Sequence, residues 1–145
     1  MIVREMREGD CYAMIRSGTI ARLACARDGQ PYLVPIQYAY TLNRLFSFSL
    51  PGRKIEIMRQ NPKVCLEIEE FSDWQHWRCV LVEGVYHELV SDQDRQQAWQ
   101  ELQGRVDWWE PGALKPGPQQ LTDERSHLFY EIVINSLSGR QSSPA

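Results

Sequence analysis

Residues 45–69, LFSFSLPGRKIEIMRQNPKVCLEIE, carry the pattern that most constrains the fold of this chain. Apolar residues alternate with serines in the first six positions, which is typical of a strand with one buried face. A Pro-Gly pair ends that strand, residues 53–60 fit a short helix, and an Asn-Pro pair stops the helix. Residues 64–68 then resume a strand. The stretch therefore predicts a short helix placed between two strands.

The rest of the chain predicts further strands that are joined mainly by tight turns. Asp28-Gly29 predicts a hairpin, because glycine supplies the positive φ that such turns demand, and Asn43-Arg44 marks a second turn. With the first three strands as a meander, the pattern predicts a mainly β fold with minor α, a small antiparallel barrel of six or so strands. The predicted strands are residues 19–27, 32–40, 45–50, 64–68, 78–89 and 127–135.

Two residues within these strands predict departures from a regular ladder. Pro35 has no backbone N–H to donate, which predicts an irregular or edge strand at that point. Gly84, in the middle of the long strand 78–89, predicts a β-bulge or a close approach of another backbone. Both positions are expected to shape the barrel locally without ending it.

Two further helices are predicted from their capping residues. One has Asp10 as its N-cap and ends at Gly18, and the other covers residues 91–103 with Ser91 as its N-cap. We expect a single domain over residues 1–137, which includes an ordered loop at residues 107–120. Residues 138–145 are expected to form a frayed tail.

The composition is that of one globular domain. The 145 residues are 43% apolar and 24% charged, and a net charge of −3 argues against nucleic-acid binding, which usually needs a clustered basic excess. No apolar run approaches the roughly 18 residues that span a bilayer. The charged N-terminus lacks the apolar stretch of a signal peptide. We therefore expect a soluble, cytoplasmic protein that binds neither nucleic acid nor membrane.

The cysteines and histidines show no spacing typical of a metal site. The four cysteines form no CxxC pair, so buried reduced thiols are expected and no metal is predicted. The three histidines are far apart along the chain and have no visible partner. These residues are Cys11, Cys25, Cys65, Cys79, His76, His87 and His127.

The turn inside residues 45–69 has the features of a phosphate site. Gly52 allows a ligand to approach the backbone, and Arg53 and Lys54 place two cations at a helix start, where free N–H groups already favour an anion. Ser47 and Ser49 alternate on one face of the incoming strand, where a hydroxyl could reach a phosphate oxygen. The alternative interpretation is a pair of solvated surface charges, which is common.

The order of these motifs resembles the pyridoxamine 5′-phosphate oxidase-like superfamily of flavin-binding split barrels, nearest to its nitroimidazole-resistance subgroup. The matching segments are GTIARLAC, DGQPYLVPIQYAY, LFSFSLPGRKIEIMRQNPKVCLEIEE, WRCVLVEGVYHEL and YEIVINSLSGR. They cover most of the chain in the family's order and spacing. The resemblance implies an antiparallel split barrel and a homodimer with two FMN molecules at the subunit interface.

The resemblance also implies roles for particular residues. The proline-containing strand would lie along the flavin ring, the strand before the turn would add two contacts, and the Arg-Lys pair would hold the phosphate. A cysteine falls where related oxidases carry a polar flavin contact, with Trp77 and Arg78 as weaker candidates beside it. In chain order, the implied cofactor contacts are Val34, Pro35, Ile36, Gln37, Phe48, Ser49, Arg53, Lys54 and Cys79.

Two departures from the family pattern bear on catalysis. Similar proteins often carry a histidine at the position of Phe48, and phenylalanine can pack on a ring but cannot shuttle a proton. Cys79 likewise replaces a residue that forms better hydrogen bonds. The C-terminal arginine and histidine that bind substrate in true pyridoxamine phosphate oxidases have no clear equivalent, so that reaction is not predicted, and no catalytic residue is assigned.

The tryptophans and a run of glutamates each have two interpretations. The tryptophans either bury large surface in the core and across a dimer seam or wall the flavin pocket, with Trp108 and Trp109 the best candidates for the second role. Glu67, Glu69 and Glu70 fit a solvated face better than an acid–base pair.

The sequence leaves three functional hypotheses. The first is an FMN-dependent oxidoreductase that reduces a small electron-poor acceptor with electrons from a nicotinamide donor. The second is a non-enzymatic flavin carrier, sensor or storage protein. The third is a split barrel that binds heme or a deazaflavin instead.

Overall fold

Hairpins and long antiparallel strands dominate the computed structural model, which describes residues 1–103 and 127–145. Within these ranges there are eight strands and three α-helices. In chain order they are β1 (Ile2–Glu5), α1 (Glu8–Ser17), β2 (Ile20–Arg27), β3 (Gln30–Gln37), β4 (Ala39–Thr41), β5 (Arg44–Ser49), α2 (Arg53–Gln60), β6 (Lys63–Asp73), β7 (His76–Leu89), α3 (Asp92–Gln103) and β8 (Leu128–Ser143). None of the three helices is long and apolar enough to cross a bilayer.

The strands form one antiparallel sheet whose two ends are adjacent in sequence. The order is β3-β2-β6-β7-β8-β5-β4, with β1 added to β8. Only Tyr38 separates β3 from β4, so the sheet curls until its ends lie side by side. No backbone ladder closes this seam among the described residues, but the Ser47 hydroxyl donates to the Gln37 carbonyl oxygen across it at 2.6 Å. The split barrel predicted from the sequence is confirmed.

The predicted meander keeps both of its pairings, β2 with β3 and β4 with β5, but its middle strand is broken. The predicted strand over residues 32–40 is divided at Tyr38, and its two parts occupy opposite ends of the sheet path. Tyr38 is fully buried, and its hydroxyl donates to the Ile15 carbonyl oxygen at 2.8 Å. A Cβ at Gly18 would collide with that hydroxyl, which explains the glycine after α1. This tertiary anchor decides where the strand breaks.

Local turn chemistry is predicted well. Asp28 and Gly29 have φ values of 52° and 75°, as a tight hairpin between β2 and β3 requires. The second turn falls at Leu42 and Asn43, one residue earlier than predicted. The bulge predicted at Gly84 is confirmed, because the β7–β8 register shifts there and a Cβ would come within 2.6 Å of β8 atoms.

The ends of the chain differ from the sequence prediction. The N-terminal residues form β1, and the N-cap of α1 is Arg7 rather than Asp10, which lies within the first turn. The tail that we expected to be frayed from Ser138 continues β8 to Ser143. Pairing with β7 and β1 satisfies the backbone of this polar segment, and such pairing has no local sequence signal.

Two apolar clusters stabilise the sheet from its inner and outer sides. The larger fills the barrel and includes Leu23, Leu66 and Val82 from neighbouring strands. The smaller, which we call the α3 cluster, packs that helix onto the end of the sheet. Its buried members are Ala39, Phe46, Leu89, Ala98, Leu102 and Phe129, with Phe48 and Trp99 packed against them. The Ser91 hydroxyl accepts a hydrogen bond from the Asp94 N–H at 3.1 Å and caps α3 as predicted.

Candidate functional site

A cleft of about 320 Å³ opens beside the barrel seam. The end of β3, the end of β5 and the first turn of α2 meet there, since the Ser47–Gln37 hydrogen bond ties β5 to β3. Five of the nine predicted cofactor contacts lie on its walls. The lining residues are Ile20, Pro35, Ile36, Gln37, Phe48 and Lys54.

Strand alternation explains which β3 residues reach the cleft. Pro35 and Gln37 project from the outer surface of the barrel, whereas Ile36 is buried but still contributes to the wall. Val34 packs against the main core and is not part of the cleft lining. Ile20 was not singled out from the sequence, although it pairs with Gln37. The Asp28-Gly29 turn sets the register of the β2–β3 hairpin, so counting residues back from the turn would have placed Ile20 opposite Gln37.

The start of α2 carries two cations and an open helix end. Arg53 is exposed, and its guanidinium carbon lies 4.9 Å from the centre of the Tyr32 ring. Lys54 is half-buried against the cleft. Burial lowers the pKa of Lys54, and the nearby Cys25 thiol opposes that shift. A cation that is partly stripped of water gains more from a bound anion than a fully solvated one does.

The helix end itself is free to receive an anion. The N-cap of α2 is Gly52, and no side chain caps the helix there. A Cβ at Gly52 would meet only the Leu50 carbonyl oxygen, at 3.8 Å, so internal packing does not demand a glycine. The first N–H groups of a helix lack internal partners and point along the axis toward such a position. Arg53, Lys54 and these amides therefore fit a phosphate group.

The two serines of β5 are not aimed at an anion. The Ser47 hydroxyl donates across the seam to Gln37, and the Ser49 hydroxyl donates to the Leu50 carbonyl oxygen at 2.6 Å. Both side chains are buried. Ser49 would have to rotate its hydroxyl to bind a phosphate oxygen, so the structure does not place it in the cleft wall.

Phe48 connects the cleft to the α3 cluster. Its ring lines the cleft on one side and lies 5.8 Å, centre to centre, from the His127 ring. His127 is buried, its Nδ1 has no hydrogen-bond partner, and burial lowers its pKa. No local pattern in the sequence singles out His127, because its neighbour Phe48 is remote in the chain.

Cys79 lies apart from the cleft within this chain. It sits on β7 opposite Glu69 of β6 and Arg140 of β8, and β2 and β6 separate it from β3. Burial raises the pKa of its thiol. Cys79 nevertheless shares the outward-facing side of the sheet with the cleft residue Pro35, because alternation and register place both there.

The outward side of β2, β3, β6 and β7 combines apolar residues with ion pairs, and we call it the outer face. Arg22 contacts Glu69 at 2.9 Å and Glu67 at 3.5 Å. These glutamates therefore belong to an ion-pair cluster rather than an acid–base pair. The large apolar residues of this face that remain exposed are Ile20, Leu33, Phe71 and Leu81.

Other parts of the sequence prediction do not meet the cleft. Trp108 and Trp109 lie outside the described residues. Clefts of about 470 and 560 Å³ lie beside β1 and beside Cys25 and Cys65. The cleft beside the barrel seam, the seam cleft, differs from both because it joins the start of α2 to an apolar wall. Separately, no cluster of metal-ligating side chains occurs in residues 1–103 or 127–145.

Comparison with known proteins gives consistent matches. A family model described as pyridoxamine 5′-phosphate oxidase matches residues 7–141. An uncharacterized protein of Rhizobium meliloti (strain 1021) is 46% identical over 144 residues, which is 97% of this chain and 95% of that protein. The crystal structure of a FAD-binding protein from Mesorhizobium loti is 39% identical, with a TM-score of 0.79 and coverage of 99% of this chain and 100% of that chain.

A more distant structure shares the fold. A proposed 5-nitroimidazole antibiotic resistance protein from Bacteroides thetaiotaomicron has a TM-score of 0.76 at 14% identity. The match covers 97% of this chain and 89% of that chain. At this identity the likeness shows a common architecture alone.

Proposed function

The chain belongs to the pyridoxamine 5′-phosphate oxidase family, and from this premise we propose that it binds a flavin nucleotide, FMN, in the seam cleft. The family predicted from the sequence is thereby confirmed. The observation that carries the proposal is the meeting of two features in one cleft. The uncapped, cation-bearing start of α2 lies beside an apolar wall formed by β3 and β5.

The start of α2 would hold the flavin phosphate. Lys54 supplies a partly desolvated charge, Arg53 supplies a planar group that can bind two phosphate oxygens, and the open helix end supplies N–H donors. The phosphate in turn would relieve the unfavourable burial of the Lys54 ammonium. The hydrogen-bond donors at the start of α2 and the partly buried charge of Lys54 therefore both favour a bound phosphate.

The wall of the cleft would hold the flavin ring. Ile20, Pro35 and Phe48 offer apolar surface, and the Gln37 side chain adds an amide that can both donate and accept hydrogen bonds. A ligand site with mostly apolar walls and few polar groups fixes orientation without many charges. Among the described residues, the lining of this cleft contains no histidine, aspartate or glutamate.

A homodimer would complete the site. The cleft residues Ile20 and Pro35 lie on the outer face, where large apolar side chains remain exposed in one chain. A second copy seated on this face would bury them and would bring its own Cys79 toward the flavin. The separation of Cys79 from the cleft within one chain supports this arrangement.

The bound flavin would supply hydride and electron transfer, while the chain's own residues bind, orient and shield it. We propose reduction of a small electron-poor acceptor with nicotinamide-derived electrons. A flavin carrier or sensor is the second candidate, and the replacement of histidine by Phe48 favours it, because phenylalanine cannot transfer a proton. The FAD-binding protein of Mesorhizobium loti makes FAD the alternative nucleotide.

The absorbance spectrum of the purified protein tests the proposal, followed by mass identification of the released ligand. FMN is expected, with FAD, heme or a deazaflavin as distinguishable contrary results. Reduction by NADH or NADPH is then followed anaerobically, with turnover measured on a nitroaromatic and a quinone. Reduction of the flavin without turnover on either acceptor would support the carrier hypothesis. A protein that purifies without flavin and does not bind added flavin would overturn flavin binding itself.

A further inference from the structure

A charged residue beside the α3 cluster forms no ion pair with any described residue. Arg95 of α3 is 1% exposed, and its guanidinium carbon lies 5.1 Å from the centre of the Phe129 ring, inside the apolar contact between α3 and β8. In the part of the chain that the structure describes, no carboxylate lies within ion-pair distance of it. Asp92, one turn earlier on α3, acts only through space.

Most of the hydrogen-bonding capacity of this guanidinium is unused. Its Nη2 donates to the His127 carbonyl oxygen at 3.4 Å, whereas Nε and Nη1 are buried and have no hydrogen-bond partner among the described residues. An uncompensated buried charge is strongly destabilising, and apolar residues of similar volume would avoid that penalty. The ring of Phe129 offsets only a small part of it.

A second unpartnered group lies beside the first and comes from a different element. The His127 side chain, immediately before β8, is 5% exposed, and its Nδ1 also lacks a hydrogen-bond partner within residues 1–103 and 127–145. Its backbone is the group that receives the Arg95 hydrogen bond. Arg95 is thus hydrogen-bonded to the backbone of a residue whose own buried imidazole has unused capacity and packs against Phe48.

We propose that Arg95 and His127 form a buried oxyanion site that takes one small carboxylate or phosphate ion. Arginine binds both groups through charge-assisted hydrogen bonds, which are roughly twice as strong as neutral ones. A protonated or suitably tautomeric imidazole adds a further donor. The bound anion would neutralise the α3 cluster and hold α3 against β8. The site is separate from the flavin phosphate anchor and does not depend on the proposed function.

The test is anion titration of the purified, dialysed protein with inorganic phosphate or sodium formate, against sodium chloride at equal ionic strength. Long incubation is needed because the site is enclosed. We expect a saturable rise in melting temperature with one equivalent bound by calorimetry. Arg95→Met keeps an unbranched apolar stem, removes the guanidinium, and is expected to weaken oxyanion binding at least about tenfold.

A matched variant distinguishes this site from the start of α2, which could also bind phosphate. The double variant Arg53→Ala/Lys54→Ala is expected to lose flavin but to keep the saturable rise in melting temperature with anion. Arg95→Met is expected to keep flavin and to lose that rise. If Arg95→Met does not fold, Arg95→Lys is expected to fold with a reduced response. Ion chromatography of acid-denatured wild-type protein checks for a co-purified anion.

Two results would overturn the proposal. One is an equal anion response in the wild type and in the Arg95 variants. The other is a wild type with neither a saturable response nor a co-purified anion, which would mean that the guanidinium is neutralised from within the chain.

Discussion

Removal of the two cations at the start of α2 should detach the flavin while leaving the barrel intact. The perturbation is Arg53→Ala/Lys54→Ala. Each charge-assisted hydrogen bond contributes about 1.5–3 kcal/mol. Lys54 is half-buried and should fall within that range, whereas exposed Arg53 should contribute about 1 kcal/mol because solvent screens it. The sum is about 2.5–4 kcal/mol, which corresponds to a loss of roughly two to three orders of magnitude in affinity.

The stability of the flavin-free protein should change little in the same variant. The contact of Arg53 with the Tyr32 ring is exposed and is worth about 0.5–1 kcal/mol. Replacement of Lys54 removes the cost of burying its charge, which offsets that loss. Melting temperatures of the flavin-free proteins should therefore be similar.

Fluorescence titration of flavin-free protein with FMN measures the affinity. The control is Arg27→Ala/Lys63→Ala, which removes two positive charges that do not line the seam cleft. The control should bind FMN within about threefold of the wild type, because neither charge lines the cleft and solvent screens charges that do not contact the ligand. A double variant at Arg53 and Lys54 that purifies with its full complement of flavin would refute the reasoning.

Three further predictions follow from particular contacts. Because burial lowers the pKa of Lys54 below its ordinary value of 10.5, flavin affinity should fall as pH rises through that lowered pKa, and Lys54→Arg should flatten the fall. Over the same window the flavin-free protein should gain stability, since its unfolded state binds more protons, as pH-dependent urea unfolding would show. Gly84→Ala should lower the free energy of unfolding by about 1–3 kcal/mol through the clash with β8, whereas Gly9→Ala, with open space around it, should be neutral or stabilising. Leu33→Asp, at a position 65% exposed on the outer face, should abolish the proposed dimer in light scattering and weaken flavin binding, and Leu42→Asp, 81% exposed at the β4–β5 turn, should do neither.

The candidate site was partly predictable because its most charged element is local. The strand, turn and helix that present Arg53 and Lys54 are consecutive in the chain, so their residue types reveal them. The contributions of Ile20 and His127 were not predictable in the same way. Ile20 reaches the cleft because β2 pairs with β3, and His127 reaches Phe48 through a packing contact between distant segments.

The amino-acid sequence by itself determined the features that depend on a few neighbouring residues. The Asp28-Gly29 hairpin, the bounds of α2, the Ser91 cap and the bulge at Gly84 all follow from backbone preferences and side-chain size at one position. Tertiary structure decided which strands pair. Contacts between remote segments cause the strand break at Tyr38, the extension of β8 to Ser143 and the separation of Cys79 from the cleft. The free energy of such contacts comes from burial and backbone pairing across the whole sheet, and no short stretch of residues encodes it.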